Sequence, residues 1–179
     1  LERFGKNTKG AGWYSFDHRG VHFVALVNVA DLKPGGMGNL GAEQLKWLKA
    51  DLAGRSSSTP IVVFAHIPLW TVYPAWGWGT EDGARALSYL QRFGSVTVLN
   101  GHIHQIMQKV EGNVAFHTAR STAFPQPAPG TAPSPGPVKV PSEHPHAAVA
   151  DALETMGARG SGTLVLPDGT KLKFGNMNK

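Results

Sequence analysis

The sequence has no cysteine in its 179 residues. That excludes disulfides, cysteine-ligated zinc and thiol catalysis together, and it leaves the compartment open, cytoplasmic or periplasmic. No apolar run reaches the length that crosses a bilayer, so the chain is expected to be soluble, with no membrane partner. Charge is sparse: 17 basic and 12 acidic residues give a formal net charge of +5. The basic residues are scattered rather than clustered, which argues against a nucleic-acid polymer as partner. A Gly-x-Ser-x-Gly elbow is missing, so serine-based hydrolysis has no support. There is no internal repeat. An initiator methionine and a signal peptide are also absent, and "LERFGKNTKGAGWYSF" reads like the middle of a protein, which raises the expectation of a fragment or a processed chain.

What is present, 41% hydrophobic residues over this length, suits one compact domain with a real core. "GWYSFDHRGVHFVALVNV" holds two apolar runs around Asp17-His18-Arg19-Gly20, a hairpin signal. "GNLGAEQLKWLKADLAGR" puts Leu45, Leu48 and Leu52 on one helical stripe, with Gly54 just beyond the end. "TPIVVFAH" is almost wholly apolar, the pattern of a strand covered on both faces. An aromatic loop, "IPLWTVYPAWGWG", leads into "TEDGARALSYLQRF". There a helix is predicted with Leu87, Leu90 and Phe93 facing the core and acidic residues in its first turn. "SVTVLN" is another buried strand, and "IMQKVEGNVAFHTA" a hairpin turning at Glu111-Gly112-Asn113. The order is α/β alternation passing into antiparallel pairing. Eight of the thirteen prolines fall between Phe124 and Pro145, so residues 124–146 are expected to be an extended segment. "AAVADALETMG" is a short helix candidate, and "GTLVLPDGTKLKF" a closing hairpin over Pro167-Asp168-Gly169.

Chemistry first shows itself where strands stop. "IVVFA" runs into His66, and "VTVLN" into Gly101, His102 and His104. In open α/β sheets ligands collect beyond the carboxyl ends of the strands. Gly101 is expected to let the backbone turn tightly as it leaves the sheet. In extended geometry, residues one apart along the chain point to the same side, so His102 and His104 can face one site. Neighbouring strands around a crossover helix would bring His66 to them. Three converging imidazoles suit a divalent transition metal. Asn100 reads as a turn residue rather than a ligand.

At these residues the sequence resembles the calcineurin-like metallophosphoesterases. "FAHIPLW" is similar to that family's isolated-histidine motif, "NGHIHQ" to its Gly-His-x-His motif, and "LGAEQLKWLKADLAG", with Gln44 and Trp47, to the helix before the former. The resemblance covers about Trp13 to Thr118. It implies an αββα sandwich with mixed sheets in the complete protein, here with a Pro-rich arm and a C-terminal hairpin. It assigns His66 and His102 to one ion and His104 to the other of a closely spaced metal pair (Mn, Fe or Zn). It further implies hydrolysis of a phosphomonoester or phosphodiester in a phosphorylated small molecule, with bacterial cyclic-nucleotide-type enzymes as the nearest analogy.

The family's remaining motifs, Asp-x-His, Gly-Asp-x-x-Asp and Gly-Asn-His-Asp or -Glu, are missing. Asp17-His18 is adjacent and sits in a turn, Gly38-Asn39 continues as Leu-Gly, and Gly112-Asn113 as Val-Ala. The resemblance therefore places Leu1 just downstream of a lost half. Residues 1–123 are read as the C-terminal half of the domain, and 147–179 as a helix and hairpin packing on it. A two-metal site needs anionic oxygen ligands to offset and bridge its charges. Three neutral histidines hold one ion at most, or none, and the chain alone is expected to be inactive, with no catalytic residue assigned.

The partners expected are the missing half or a second copy, docking on an exposed apolar sheet edge. The competing reading is a noncatalytic module that binds a ligand or partner through its aromatic loop and proline-rich arm. Trp70 and Tyr73, with Trp76 and Trp78, are read either as a substrate wall or as loop packing. Arg120, beside His117, is read as a contact to a phosphate oxygen or as a surface ion pair. His144 and His146 are read as solvated.

Overall fold

Arg19 and Gly20 both adopt positive φ, 49° and 80°, the backbone that a tight type I′ hairpin turn requires. In a computed structural model, which describes residues 7–121 and 124–139 and the backbone of strands at 162–165 and 171–174, this turn joins β1 (Tyr14–His18) to β2 (Val21–Ala25). Helix α1 (Gly41–Ala53) follows, then β3 (Ile61–Phe64), α2 (Gly83–Leu90), β4 (Val96–Asn100) and the hairpin β5 (Met107–Glu111) and β6 (Val114–Thr118). The six strands form one mixed sheet in the order β1-β2-β3-β4-β6-β5. Strands β2, β3, β4 and β6 run parallel, and the outer pairs are antiparallel. This is the α/β class expected. The described residues of Leu1–Ala119 form one sheet and one helical layer.

From β2 through β4 each crossover steps to the next strand in the same direction. Right-handed crossovers that always step the same way put every helix on one face. Leu45, Leu48 and Leu52 of α1 and Ala86 and Leu90 of α2 therefore share one core with Val24, Ile61, Val63, Val96, Val98, Val114 and Phe116. Among the described residues of Leu1–Ala119, no helix lies on the opposite face. Strand β3 is accordingly not covered on both sides: Ile61 and Val63 are buried, while Phe64 is 40% exposed. Tyr14, Phe16, Phe23 and Phe64 stack across β1 to β3 on that face, with ring centroids 6.2, 4.9 and 6.3 Å apart in turn. Leu99 and Val110 continue it, both exposed. Among the described residues of Leu1–Ala119, these exposed apolar side chains lie on a sheet face. Edge strand β5 is guarded by a Lys109–Glu111 ion pair of 2.6 Å, as edges usually are.

Helix α2 begins later than its sequence suggested. Gly83 is its first residue, with no acidic group in the first turn, because Asp82 is used elsewhere. The Asp82 carboxylate accepts from Leu40 N at 2.9 Å and Gly41 N at 2.8 Å, satisfying donors that the start of α1 leaves open. Phe93 is buried in the turn beyond the helix. Gly54 ends α1 at φ −86°, without the left-handed geometry common at such caps.

On the helical side, β1, β2 and α1 are joined by polar groups. His22 is fully buried. Its Nδ1 lies 2.9 Å from Asp17 Oδ1 and its Nε2 2.7 Å from Asp51 Oδ2. Ser15 Oγ donates to Asp51 at 2.7 Å, and Arg55 donates to both oxygens of Asp17, at 2.7 and 3.3 Å. Asp17 belongs to β1 rather than to the turn.

A second compact unit runs from Arg120 to Lys179, the first being Leu1–Ala119. Residues 124–139 form neither helix nor strand, as proline's missing donor dictates, and Val138 N donates to Pro125 O at 3.0 Å. Strands β7 (Gly162–Val165) and β8 (Lys171–Phe174) pair antiparallel. The helix expected within 147–157, His144, His146 and the Pro167-Asp168-Gly169 turn lie outside the described residues.

The Arg55 hydrogen bond holds the Asp17 carboxyl below its ordinary value. Burial would raise Asp51, but hydrogen bonds from His22 and Ser15 outweigh it and leave that carboxyl lowered too. A lowered folded pKa stabilises the fold fully above the unfolded value of about 3.9, and that stabilisation is lost as pH falls through the folded values. Asp51→Asn is expected to cost about 2 kcal/mol at pH 7 and to flatten the acid loss of stability. Urea melts at neutral pH and on the acid side measure both, and a wild-type midpoint at neutral pH would show the network to be idle.

Candidate functional site

The register Phe64↔Leu99 sets the ends of β3 and β4 side by side. Ala65 N then donates to Leu99 O at 3.1 Å, and Gly101 N to His66 O at 3.0 Å. This brings the His66 and His102 rings together edge to face, with centroids 5.2 Å apart and planes at 74°. The strand order does not reverse here, so the site stands at a carboxyl margin without a switch-point crevice.

The second turn is not extended. His102 and His104 both have left-handed backbone, φ 67° and 50°, while Gly101 is not at positive φ. The conformational load expected of the glycine is carried by the two histidines. Ile103 between them is fully buried and its N donates to Gly101 O at 2.7 Å. That anchor twists the chain on either side and replaces the simple alternation of an extended segment. Left-handed non-glycine residues cost about 1–3 kcal/mol and concentrate at functional sites.

Buried amides fix the margin beneath the histidines. Asn28 donates to Ile67 O at 2.7 Å and to Thr80 Oγ1 at 2.9 Å, and accepts from Ile67 N at 3.2 Å. Thr80 in turn donates to Pro68 O at 2.9 Å. Asn100 is no turn residue: it ends β4, is buried, and its Nδ2 donates to Ala65 O at 2.6 Å. Its Oδ1 is buried without a hydrogen-bond partner. In the sequence, Asn100 reads as a turn residue and Asn28 carries no assigned role. The available signal was an asparagine interrupting an apolar run, beyond the end of β2 in "ALVNV" and at the end of β4 in "VTVLN".

Partial burial and the neighbouring His104 lower the pKa of His66. Burial, with His66 and His104 beside it, pushes His102 down to about 4, opposed by a hydrogen bond to the Gly77 backbone. Both imidazoles are therefore neutral at pH 7, the form that ligates metals. His104 acts electrostatically on both. Among the described residues, however, no group of three or more His, Asp or Glu side chains is placed to hold an ion, and no carboxylate is among the groups shifting either imidazole. The expected convergence of three ligands is thus realised as a close pair with His104 alongside. The donor set fits part of one ion's coordination and does not fit a dinuclear pair.

The remaining candidates fall elsewhere. Trp70 packs on the core with its ring 4.8 Å from Phe116. Tyr73 belongs to an aromatic cluster with Trp76 and the buried Trp78, at ring distances of 5.0 and 5.2 Å. Arg120 is exposed and opens the second unit. An open hollow of about 350 Å³ connects His66, Asn100 and Gly101 with Ala25, Phe64 and Leu99 of the bare face.

No family model matches the chain, and no curated protein matches it. Among solved structures it is similar to a dimetal phosphatase from Danio rerio, at 17% identity and a TM-score of 0.49, over 61% of this chain and 49% of that one. It is also similar to a 5'-nucleotidase from Candida albicans, at 18% identity and a TM-score of 0.39, over 60% of this chain and 20% of that one. The chain spans about half the length of the phosphatase and a fifth of the nucleotidase.

Backbone strain at the histidine turn is separable from the imidazoles. His102→Gly and His104→Gly are each expected to be more stable than the alanine variant at the same position by about 1 kcal/mol, since both replacements lack the ring and only glycine relaxes at positive φ. Thermal denaturation of the four variants measures the difference. Gly101→Ala should be tolerated, because the added Cβ meets nothing nearer than His66 Nδ1 at 3.8 Å.

Proposed function

We propose that this chain supplies the histidine half of a metal-dependent phosphoesterase site, acting on a phosphorylated small molecule once further polypeptide covers its bare sheet face. The observation that carries the reading is the His66–His102 pair. Two neutral imidazoles meet 5.2 Å apart at the ends of adjacent parallel strands, beside a turn that holds His102 and His104 in left-handed backbone around the buried Ile103. A bound divalent cation (Mn, Fe or Zn) would supply Lewis-acid polarisation of a phosphoryl oxygen. His66 and His102 are its donors from this chain, and His104 stands beside them. The anionic ligands come from the covering layer, since the hollow joins the histidines directly to Phe64 and Leu99 of the bare face.

The noncatalytic alternative draws support from one feature, the lack of a three-ligand group among the described residues. Calorimetric titration separates the readings. Zinc is expected to bind weakly to the chain alone and to lose most of that binding in His66→Ala and His102→Ala. Titration heats that are identical in wild type and both variants would remove the metal reading.

Two further outcomes follow from the incompleteness of the site. Hydrolysis of an aryl phosphodiester with added manganese should stay at background for the isolated chain, and robust turnover would overturn the half-site reading. Gel filtration over a range of concentrations should show self-association through the bare face, suppressed by Phe16→Asp, whereas a monomer throughout would mean that the face tolerates water.

A further inference from the structure

We infer that Thr118 is a positioning residue for the histidine turn: its hydroxyl fixes the returning leg of loop 101–106 and so holds His104 in left-handed backbone. The consequence for a cation rests on the metal reading above, while the positioning itself does not. Topology puts Thr118 under the loop. Strand β6 lies between β4 and β5 in the sheet, yet β5 follows β4 in the chain. Residues 101–106 must therefore step over the carboxyl end of β6 to reach Met107. Thr118 is the last residue of β6, and its partners in register are Asn100 on β4 and Met107 on β5. The residues that open and close the loop thus flank it.

The hydroxyl meets the loop with both of its capacities. Thr118 Oγ1 donates to Gln105 O at 2.6 Å and accepts from Met107 N at 2.9 Å. Met107 O, at 3.5 Å, is the more distant acceptor, so the single hydroxyl proton belongs to Gln105. Thr118 is buried, where low local dielectric strengthens such bonds. Ala119 N donates to Asn100 O at 3.2 Å, which continues the β4–β6 pairing past Thr118 and keeps it in the sheet.

His104 therefore lies between two anchors. On one side the buried Ile103 gives its N–H to Gly101 O at 2.7 Å, and on the other the Gln105 carbonyl is tied to Thr118. His104 cannot leave φ 50° without swinging the Gln105 peptide away from that hydroxyl. Left-handed backbone is disfavoured for any residue with a Cβ, so a turn with two such residues needs an outside hold, and Thr118 supplies it. Valine has nearly the same shape but can neither donate nor accept, whereas serine keeps both capacities. Under the metal reading the gain is pre-organisation, and groups that orient ligands alter metal affinity by about 10–100-fold when disturbed.

NMR of the wild-type chain decides first. Couplings sensitive to φ are expected to show left-handed backbone at His104, and the Met107 amide should exchange at least about tenfold slower than in an unstructured peptide. An extended His104 or an unprotected Met107 amide overturns the inference whatever the metal results. Thr118→Val should move the His104 couplings toward averaged values and speed Met107 exchange about tenfold, and Thr118→Ser should restore both. A merely structural role would lower the melting temperature of Thr118→Val and leave His104 left-handed, which would sink the proposal. Should Thr118→Val fail to fold, the wild-type couplings and amide, with Thr118→Ser, still decide. Zinc binding should weaken about tenfold in Thr118→Val and recover in Thr118→Ser. A turn that keeps its hold in a chain that binds no zinc would refute the metal reading and leave the positioning intact.

Discussion

The direction of the strand sequence governs this molecule. Because β2, β3 and β4 are laid down side by side in one sense, right-handed crossovers leave no choice about where α1 and α2 go. That single constraint does three things. It concentrates the apolar side chains of both helices into one core, it leaves the other face of the sheet without a helix among the described residues, and it aligns the carboxyl ends of β3 and β4. The aromatic ladder from Tyr14 to Phe64 and the meeting of His66 with His102 are consequences of the same topology, one on the bare face and the other at its margin.

Rigidity at the margin comes from amides more than from hydrophobic packing. Asn28 occupies the backbone groups of Ile67 as a neighbouring strand would, Gln44 does the same for Val27 by giving to its O at 2.7 Å and accepting from its N at 2.8 Å, and Asn100 ties β4 to Ala65. Each replaces a ladder hydrogen bond where the sheet ends. Buried backbone groups otherwise left open would cost about 1–3 kcal/mol apiece. The loops beyond the sheet can therefore be irregular without being loose, and that allows His102 and His104 to keep an unfavourable backbone.

Periodicity in the sequence revealed the elements but not their surroundings. The hairpins at Arg19-Gly20 and Gly112-Asn113, the Leu45–Leu48–Leu52 stripe and the two buried strands were legible because each is a local pattern with a local cause. Coverage was not. "IVVF" reads as doubly buried, yet whether Phe64 meets a second layer depends on topology, which no window of residues contains. The acidic pair Glu81-Asp82 looked like a helix start, while Asp82 caps the other helix 42 positions away in sequence from Leu40. At the site, the histidines were legible as residue types at strand ends. The left-handed turn was not, because its cause is the burial of Ile103 between them. Thr118 was hidden for a similar reason: its partners Met107 and Gln105 lie 11 and 13 positions away in sequence, and a threonine closing a strand has no periodic signature.

Among the described residues the ligand set is partial and one sheet face carries no helix. A face of six short strands spans on the order of 400 Å² from strand spacing and rise, already near the largest apolar patch that monomers usually expose. Covering it would be worth about 10 kcal/mol before ordering costs, at ~25 cal/mol per Å². That is comparable to the whole net stability of a domain. The histidine margin contributes far less by itself: two neutral imidazoles with no carboxylate to balance a cation are a weak donor set. Under the proposed function, a layer covering the face would contribute more free energy than the two imidazoles give a cation, and a ligand it carried to the rim would cost little further entropy. Because the hollow beside His66 opens onto Phe64 and Leu99, a layer that buried the face would also reach the imidazoles. Cation affinity then becomes a property of the covered sheet, linked to its assembly in the way that metal binding is linked to folding.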